Sequence, residues 1–260
     1  VTDYETFFSN YSDQEPAVEV SEEDEQLIIY TSGTTGRPKG AVYTHSTTIW
    51  MSLSQIVDFG FNKNDITAIS GPLYHVGGLI DLTMPMFHTG GSCIMMRSTG
   101  FNPKETLELI EREKITLILL FPIMLYDLLR YPELNKYDTG SLRMIFTGGE
   151  PVPVAALEKS MEVFPTANVI QGFGLTEGSA IASFLSQKYA VSKMGSIGKA
   201  IAHVKIKVVN DEGKDVKPGE IGEILTQGPS VSKGYWMRPD ANEETFGDGW
   251  CHTGDLGRID

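Results

Sequence analysis

Cysteine is scarce in this sequence: Cys93 and Cys251 are the only two in 260 residues. Neither belongs to a CxxC or CxxH pattern, which argues against a zinc site, and two isolated thiols fit a reducing, cytoplasmic setting. Positive charge is also short. Lys and Arg number 21 against 34 Asp and Glu, a net charge of -13. The clustered basic surface that nucleic acid requires is missing, and the acidity reads as solubility. No apolar run approaches the roughly 20 residues of a membrane-spanning helix. The opening VTDYETFFSNYSDQEP lacks the basic-then-apolar layout of a secretory signal. What remains is a globular composition, long enough for one large domain or two modest ones.

Residues 1–26 are acidic and weakly periodic, as in a linker or the remnant of an upstream region. Residues 27–192 alternate between strand and helix signals. LIIYTSG reads as a buried strand entering a loop. From Ser46, a plausible N-cap, Trp50, Leu53 and Val57 recur at helical spacing. Asn102, Pro103 and Glu105 supply an N-cap, a first-turn proline and a capping-box acid for the helix PKETLELIEREK. ITLILLF, LRMIFTGG and NVIQGFG are apolar runs separated by the helical stretches MLYDLLRY and AALEKSMEVF. Apolar strands interleaved with helices predict an α/β fold, a layered parallel sheet covered on both faces. Residues 193–260 change character near Gly195. KIKVVNDEGKDVKPGEIGEILTQG is two β-rich runs joined by Gly- and Pro-containing turns, which predicts a smaller antiparallel, β-barrel-like subdomain.

The stretch Ile28 to His45, IIYTSGTTGRPKGAVYTH, concentrates hydroxyls and glycines. It is not a Walker loop. That pattern needs GxxxxGK[ST], whereas here Pro38, which has no N–H to offer a phosphate, precedes Lys39. Glycines that admit the backbone closely, four hydroxyls and one ammonium suit phosphate oxygens. By composition alone a polar surface turn fits the loop equally well.

Five segments together resemble the adenylate-forming superfamily of acyl-CoA synthetases, peptide-synthetase adenylation domains and luciferases. YTSGTTGRPKG is similar to the family's signature loop. PLYHVGG (72–78) resembles its acyl-pocket segment, TGGEPVP (147–153) its adenine turn, QGFGLTEG (171–178) its Tyr-Gly-x-Thr-Glu motif and GWCHTGD (249–255) its ribose motif. The likeness runs from about Leu27 onward.

The resemblance implies roles. Thr31, Ser32, Gly33, Thr34, Thr35, Gly36 and Lys39 would hold the β- and γ-phosphates. Gly149, Glu150 and Pro151 would lie along the adenine, with Gln171, Gly172, Phe173 and Gly174 beside it. Phe173 replaces the commoner tyrosine and keeps the ring face for stacking while losing the phenol hydroxyl. Thr176 would bond the α-phosphate, Glu177 would bind Mg²⁺ and Asp255 would take the ribose diol. Lys39, Thr176 and Glu177 are thus the catalytic candidates, and His75, Val76, Gly77 and Gly78 the acyl-pocket candidates.

The implied activity is ATP-dependent ligation of a fatty or aryl carboxylic acid to CoA through an acyl-adenylate. A carboxylate is already ionised at neutral pH, so the first step requires no general base. That agrees with a chain lacking a GxSxG or an obvious Ser-His-Asp set. The family's catalytic lysine follows the ribose motif, whereas the last lysine here is Lys233. The chain is therefore expected to be a core fragment with low activity alone. A non-catalytic nucleotide-binding module, a peptide-synthetase adenylation domain and a luciferase-type oxygenase are the alternatives. The apolar stretch PLYHVGGLIDLTMPMF disfavours the peptide synthetase, since Asp81 does not occupy that group's pattern.

Overall fold

The computed structural model describes residues 3–9, 11–31, 37–97 and 100–260. The chain opens with α1 (Tyr4–Phe8), the hairpin β1 (Glu25–Thr31) and β2 (Lys39–Thr44), and helix α2 (His45–Phe59). Next come β3 (Ile66–Ile69), α3 (Val76–Leu79), α4 (Thr83–Thr89), β4 (Ser92–Met95), α5 (Pro103–Glu113) and β5 (Leu117–Leu119). Then follow α6 (Pro122–Arg130), β6 (Met144–Gly148), α7 (Val154–Val163), β7 (Asn168–Phe173), β8 (Ser183–Leu185) and β9 (Lys199–Ala200). The chain closes with β10 (Lys205–Val209), β11 (Gly222–Gln227), α8 (Pro239–Phe246) and β12 (Cys251–Gly257).

A seven-stranded sheet in the order β4-β3-β5-β6-β7-β8-β9 organises the α/β part. Its first five strands are parallel, and β8 and β9 extend it antiparallel. Successive side chains along a strand face opposite sides, and this divides two cores. Ile118, Ile145 and Val169 join Leu107, Ile110, Leu125, Leu128 and Leu157 of α5, α6 and α7 on one side. Leu117, Met144, Phe146 and Ile170 join Phe59 and Met86 of α2 and α4 on the other. Burying each such side chain contributes about 1.5–3 kcal/mol. Helix α5 begins as the sequence predicts: Asn102 Oδ1 accepts from the N–H groups of Lys104 at 3.0 Å and Glu105 at 3.4 Å.

Three local expectations are corrected. The first strand, β1, is not buried: Tyr30 is 64% exposed and Ile28 is also on the surface. The inner strand is β2, which has β1 on one side and residues 233–236 on the other, through Val42 N–H to Gly234 O and Trp236 N–H to Gly40 O. Helix α2 is capped by Thr44, not Ser46, and Leu53 and Val57 face outward while Thr47, Met51 and Gln55 face in. Its hydroxyls can be buried because they are satisfied locally: Ser52 donates to Thr48 O, and Ser54 to Trp50 O. In the last segment, α8 is a helix absent from the sequence reading. The smaller antiparallel sheet that the sequence predicts there has three strands, β10-β11-β12.

A third core cluster knits these parts together. It packs Ala41 and Tyr43 of β2, Met51 of α2, Val76 and Ile80 around α3, Ala180, and Tyr235 and Ala241 near α8. No helix among the described residues is long and apolar enough to cross a membrane.

Candidate functional site

A cavity of ≈ 290 Å³ opens beyond the carboxyl ends of β5, β6 and β7, where open parallel sheets bind ligands. Segment 75–81 contributes His75, Val76, Gly77 and Asp81. Leu119 and Phe121 follow from β5, and Phe146, Thr147, Gly148 and Gly149 from β6. Beyond β7 come Gly172, Gly174, Leu175, Thr176, Glu177, Ala180 and Ile181, and Thr31 completes the wall.

Two glycines are demanded by close backbone approach. A Cβ on Gly148 would fall 2.3 Å from the Gly172 carbonyl oxygen, and one on Gly174 2.1 Å from that of Ala180. Neither contact is possible, so the ends of β6 and β7 and the turn into β8 close upon one another only because these residues lack side chains.

The turn into β8 presents Thr176 and Glu177, and two phenols hold it. The Tyr43 hydroxyl donates to the Thr176 carbonyl, and the Tyr235 hydroxyl donates to Glu177 Oε1 at 2.7 Å. Ser232 N–H donates to the Glu177 carbonyl. Burial, reinforced by Glu177, raises both phenol pKa values well above 10, so both remain donors. Lys39 Nζ sits 4.4 Å from the Tyr235 ring centroid, an attraction of about 0.5–2 kcal/mol. An ammonium, a phenol and a carboxylate therefore stand in series. Cys251 is buried in the same region; burial and then Glu177 push its thiol up to about 12, which leaves it protonated and unreactive.

His75 caps α3, its Nδ1 accepting from Gly77 N–H at 3.0 Å. Burial holds its pKa below 6.5, so at pH 7 the ring is neutral and its proton lies on Nε2. Asp81 is 8% exposed, and its Oδ1 finds no partner among the described residues. Burial pushes its pKa up to about 8. Among the described residues, no Lys or Arg lines the cavity.

A family model described as "AMP-binding enzyme" matches residues 2–236. The chain belongs to the AMP-binding enzyme family. Among its relatives, feruloyl-CoA synthase from Amycolatopsis sp is 34% identical over 95% of this chain and 50% of its own length. Indoleacetate–CoA ligase from Aromatoleum aromaticum is 36% identical over 99% of this chain and 50% of its own. The chain thus spans about half the length of the curated relatives it matches. O-succinylbenzoate coenzyme A synthetase (MenE) from Bacillus subtilis, solved in complex with ATP and magnesium ion, superposes with a TM-score of 0.85 at 33% identity, covering 98% of this chain and 52% of that one.

Of the residues that the AMP-binding motifs single out, Thr31, His75, Val76, Gly77, Gly149, Gly172, Gly174, Thr176 and Glu177 share the one cavity. Ser32, Gly33, Thr34, Thr35 and Gly36 lie outside the described residues. Lys39 does not itself line the cavity; it pairs with Thr31 across the β1–β2 hairpin, and its ammonium is linked to Glu177 through Tyr235. Gly78 is buried and does not line the cavity, because its Cα packs against the turn at Gly71 and Pro72. Gln171 and Phe173 flank the cavity residues along β7, with the Phe173 ring packed against the second core. Glu150 and Pro151 are exposed beyond the end of β6. Asp255 is exposed on β12, its N–H donating to Thr253 Oγ1, and does not line the cavity. Sequence reasoning missed Tyr43, Tyr235, Phe121 and Phe146. Tyr43 stands inside the quoted loop-and-strand stretch, but nothing local marks its hydroxyl for a residue 133 positions away.

Proposed function

We propose that this AMP-binding chain holds ATP and a carboxylic acid for a ligase that forms an acyl-adenylate and passes the acyl group to CoA. One observation carries the reading: Thr176, Glu177 and the glycine-cleared strand ends share a single cavity with the apolar walls Val76, Leu119, Phe121 and Phe146. The shared cavity supports a polyphosphate site adjoining an acyl pocket, as attack of a carboxylate on a phosphate requires. The aromatic walls and modest volume favour an aryl or short acyl group over a long chain. The relatives named for feruloyl, indoleacetate and succinylbenzoate groups agree with an aryl acid.

The acid attacks as its carboxylate, so the residues need to align it and offset charge rather than remove a proton. The Thr176 hydroxyl is a donor for an α-phosphate oxygen, and Lys39 adds positive charge near Glu177. Asp255 is assigned the ribose, and Phe173 with Gly149, Glu150 and Pro151 the adenine. Gln171, Gly172 and Gly174 frame the same base. His75 and Gly77 wall the acid. Glu177 fits Mg²⁺: Oε1 is committed to Tyr235, while among the described residues Oε2 has no hydrogen-bond partner and no three-ligand metal cluster exists. That suits an ion that takes one carboxylate and completes its shell with water and phosphate oxygens. When bound, Mg²⁺ supplies neutralisation of the charge on the departing pyrophosphate.

The test is ATP–pyrophosphate exchange by the full-length protein across a panel of carboxylic acids, with MgATP binding followed by calorimetry. Exchange that depends on an aryl or short acyl acid is expected. Binding of MgATP without exchange for any acid would instead make this a nucleotide-binding module, and absence of MgATP binding would end the proposal.

A further inference from the structure

We propose that Asp81 determines specificity within the acid pocket, selecting carboxylic acids whose side chain bears a hydroxyl over unsubstituted acids and over diacids. The inference rests on the acid–ATP reading above.

The position of Asp81 is firmly set. It lies between Ile80 and Leu82, both buried. Its N–H donates to Val76 O at 3.0 Å, and its carbonyl accepts from Thr83 N–H at 2.8 Å. The residue is 8% exposed and lines the cavity. Buried polar groups in folded proteins are nearly always paired, and an unpaired one is a standing cost. Among the described residues only five buried side-chain polar atoms lack a partner, and two of them, Asp81 Oδ1 and Thr147 Oγ1, belong to walls of this one cavity. Several other polar groups around it are already engaged. Tyr43 is bonded to Thr176, Glu177 to Tyr235, and His75 Nδ1 to Gly77 N–H. The carboxyl of Asp81 is left for whatever enters the pocket.

Chemistry narrows the visitor. Burial favours the neutral carboxyl at pH 7, and a neutral carboxyl both donates and accepts. A hydroxyl complements it in both directions and brings no charge into the pocket. A second carboxylate would meet Asp81 and Glu177 with no Lys or Arg among the described wall residues to receive it. An ammonium would have to leave water as a full charge and would require Asp81 to ionise in apolar surroundings. A site containing an unpaired buried group rejects ligands that leave it unpaired far more strongly than an apolar wall rejects an added hydroxyl.

The experiment uses stable adenylate mimics and calorimetry on the full-length protein. The probes are benzoyl sulfamoyl adenosine and its ortho-, meta- and para-hydroxy, carboxy and aminomethyl derivatives. At least one hydroxy isomer is expected to bind roughly 10-fold or more tightly than the parent compound, and the carboxy derivatives more weakly than it. Asp81→Ala is expected to abolish the hydroxyl preference while still binding the parent, which also shows that the variant is folded. Asp81→Asn, which can still donate and accept, is expected to keep part of it. If the parent binds but no hydroxy isomer gains, if the preference survives Asp81→Ala, or if an aminomethyl compound binds best, this inference is overturned and the acid–ATP reading stands. If the parent itself does not bind the wild type, both fall together.

Discussion

The Tyr235 hydroxyl bonds Glu177 at 2.7 Å while the face of its ring receives Lys39 at 4.4 Å. One aromatic side chain thus sets the position of a carboxylate through its edge and of an ammonium through its face.

Tyr235→Phe separates the two functions, because the ring stays and only the hydroxyl goes. MgATP binding at saturating Mg²⁺ is expected to change little. The Mg²⁺ concentration needed for half-maximal binding is expected to rise by about 10- to 100-fold, the value of one hydrogen bond to a charged group. Calorimetric titrations of ATP at several Mg²⁺ concentrations read this out. An unchanged Mg²⁺ requirement would remove Tyr235 from the site.

Gly174→Ala would push a Cβ to within 2.1 Å of the Ala180 carbonyl oxygen, and backbone cannot give way as a side chain can. We expect a loss of at least ~2 kcal/mol in stability, together with weakened nucleotide binding. Chemical denaturation and nucleotide titration of the same sample check both. Gly60→Ala, with open space around it at φ +62, should cost only ~1–2 kcal/mol from backbone conformation and spare the site.

Gly77 is the place to reshape the proposed acid pocket. Its Cβ position lies 3.3 Å from Leu119 Cδ2 and 3.4 Å from Phe121 Cζ, so a larger side chain must enter the space between them. Gly77→Leu is expected to shift acid preference toward smaller acids in pyrophosphate exchange, by roughly 10-fold in kcat/KM between matched large and small acids. The same preference in the variant and wild type would take Gly77 out of the pocket wall.

Away from the site, Arg143 holds Asp65 with two hydrogen bonds, Nε to Oδ1 at 2.7 Å and Nη2 to Oδ2 at 2.6 Å. Thr116 Oγ1 and Asn62 N–H add two more. Burial alone would raise the Asp65 pKa; Arg143 and the other donors outweigh it and hold the carboxyl below 3.8. The unfolded chain therefore takes up this proton first. The stabilisation is complete above pH 3.8 and fades as pH falls through the lower folded-state value. Asp65→Asn is expected to cost about 1–3 kcal/mol at pH 7, since Arg143 keeps partial access to solvent. The gap between variant and wild type in urea midpoints should narrow below about pH 4. A gap independent of pH would mean that packing, not charge, holds Asp65.

Much of the fold is legible in the sequence because its signals are local. Asn102, Pro103 and Glu105 start α5 through contacts within four residues, and the apolar runs at 117–120 and 144–146 are strands because both faces are covered. Helix α2 misleads because hydroxyls satisfied by carbonyls four residues back can face a core that periodicity assigns to Leu53 and Val57. Strands β8 and β9 are too short, at three and two residues, to carry an alternation. In the site, His75, Thr176 and Glu177 stand in recognisable motifs, whereas the value of Tyr43, Tyr235 and Asp81 comes from what distant chain segments place, or fail to place, beside them.

The turn bearing Thr176 and Glu177 hangs from the large sheet, yet its two anchors come from the hairpin sheet, through Tyr43, and from the stretch leading into α8, through Tyr235. No one of these parts can open while the carboxylate keeps its place. Loosening either anchor should then release Glu177 while the large sheet stays folded, so that ligand competence is lost before global cooperativity.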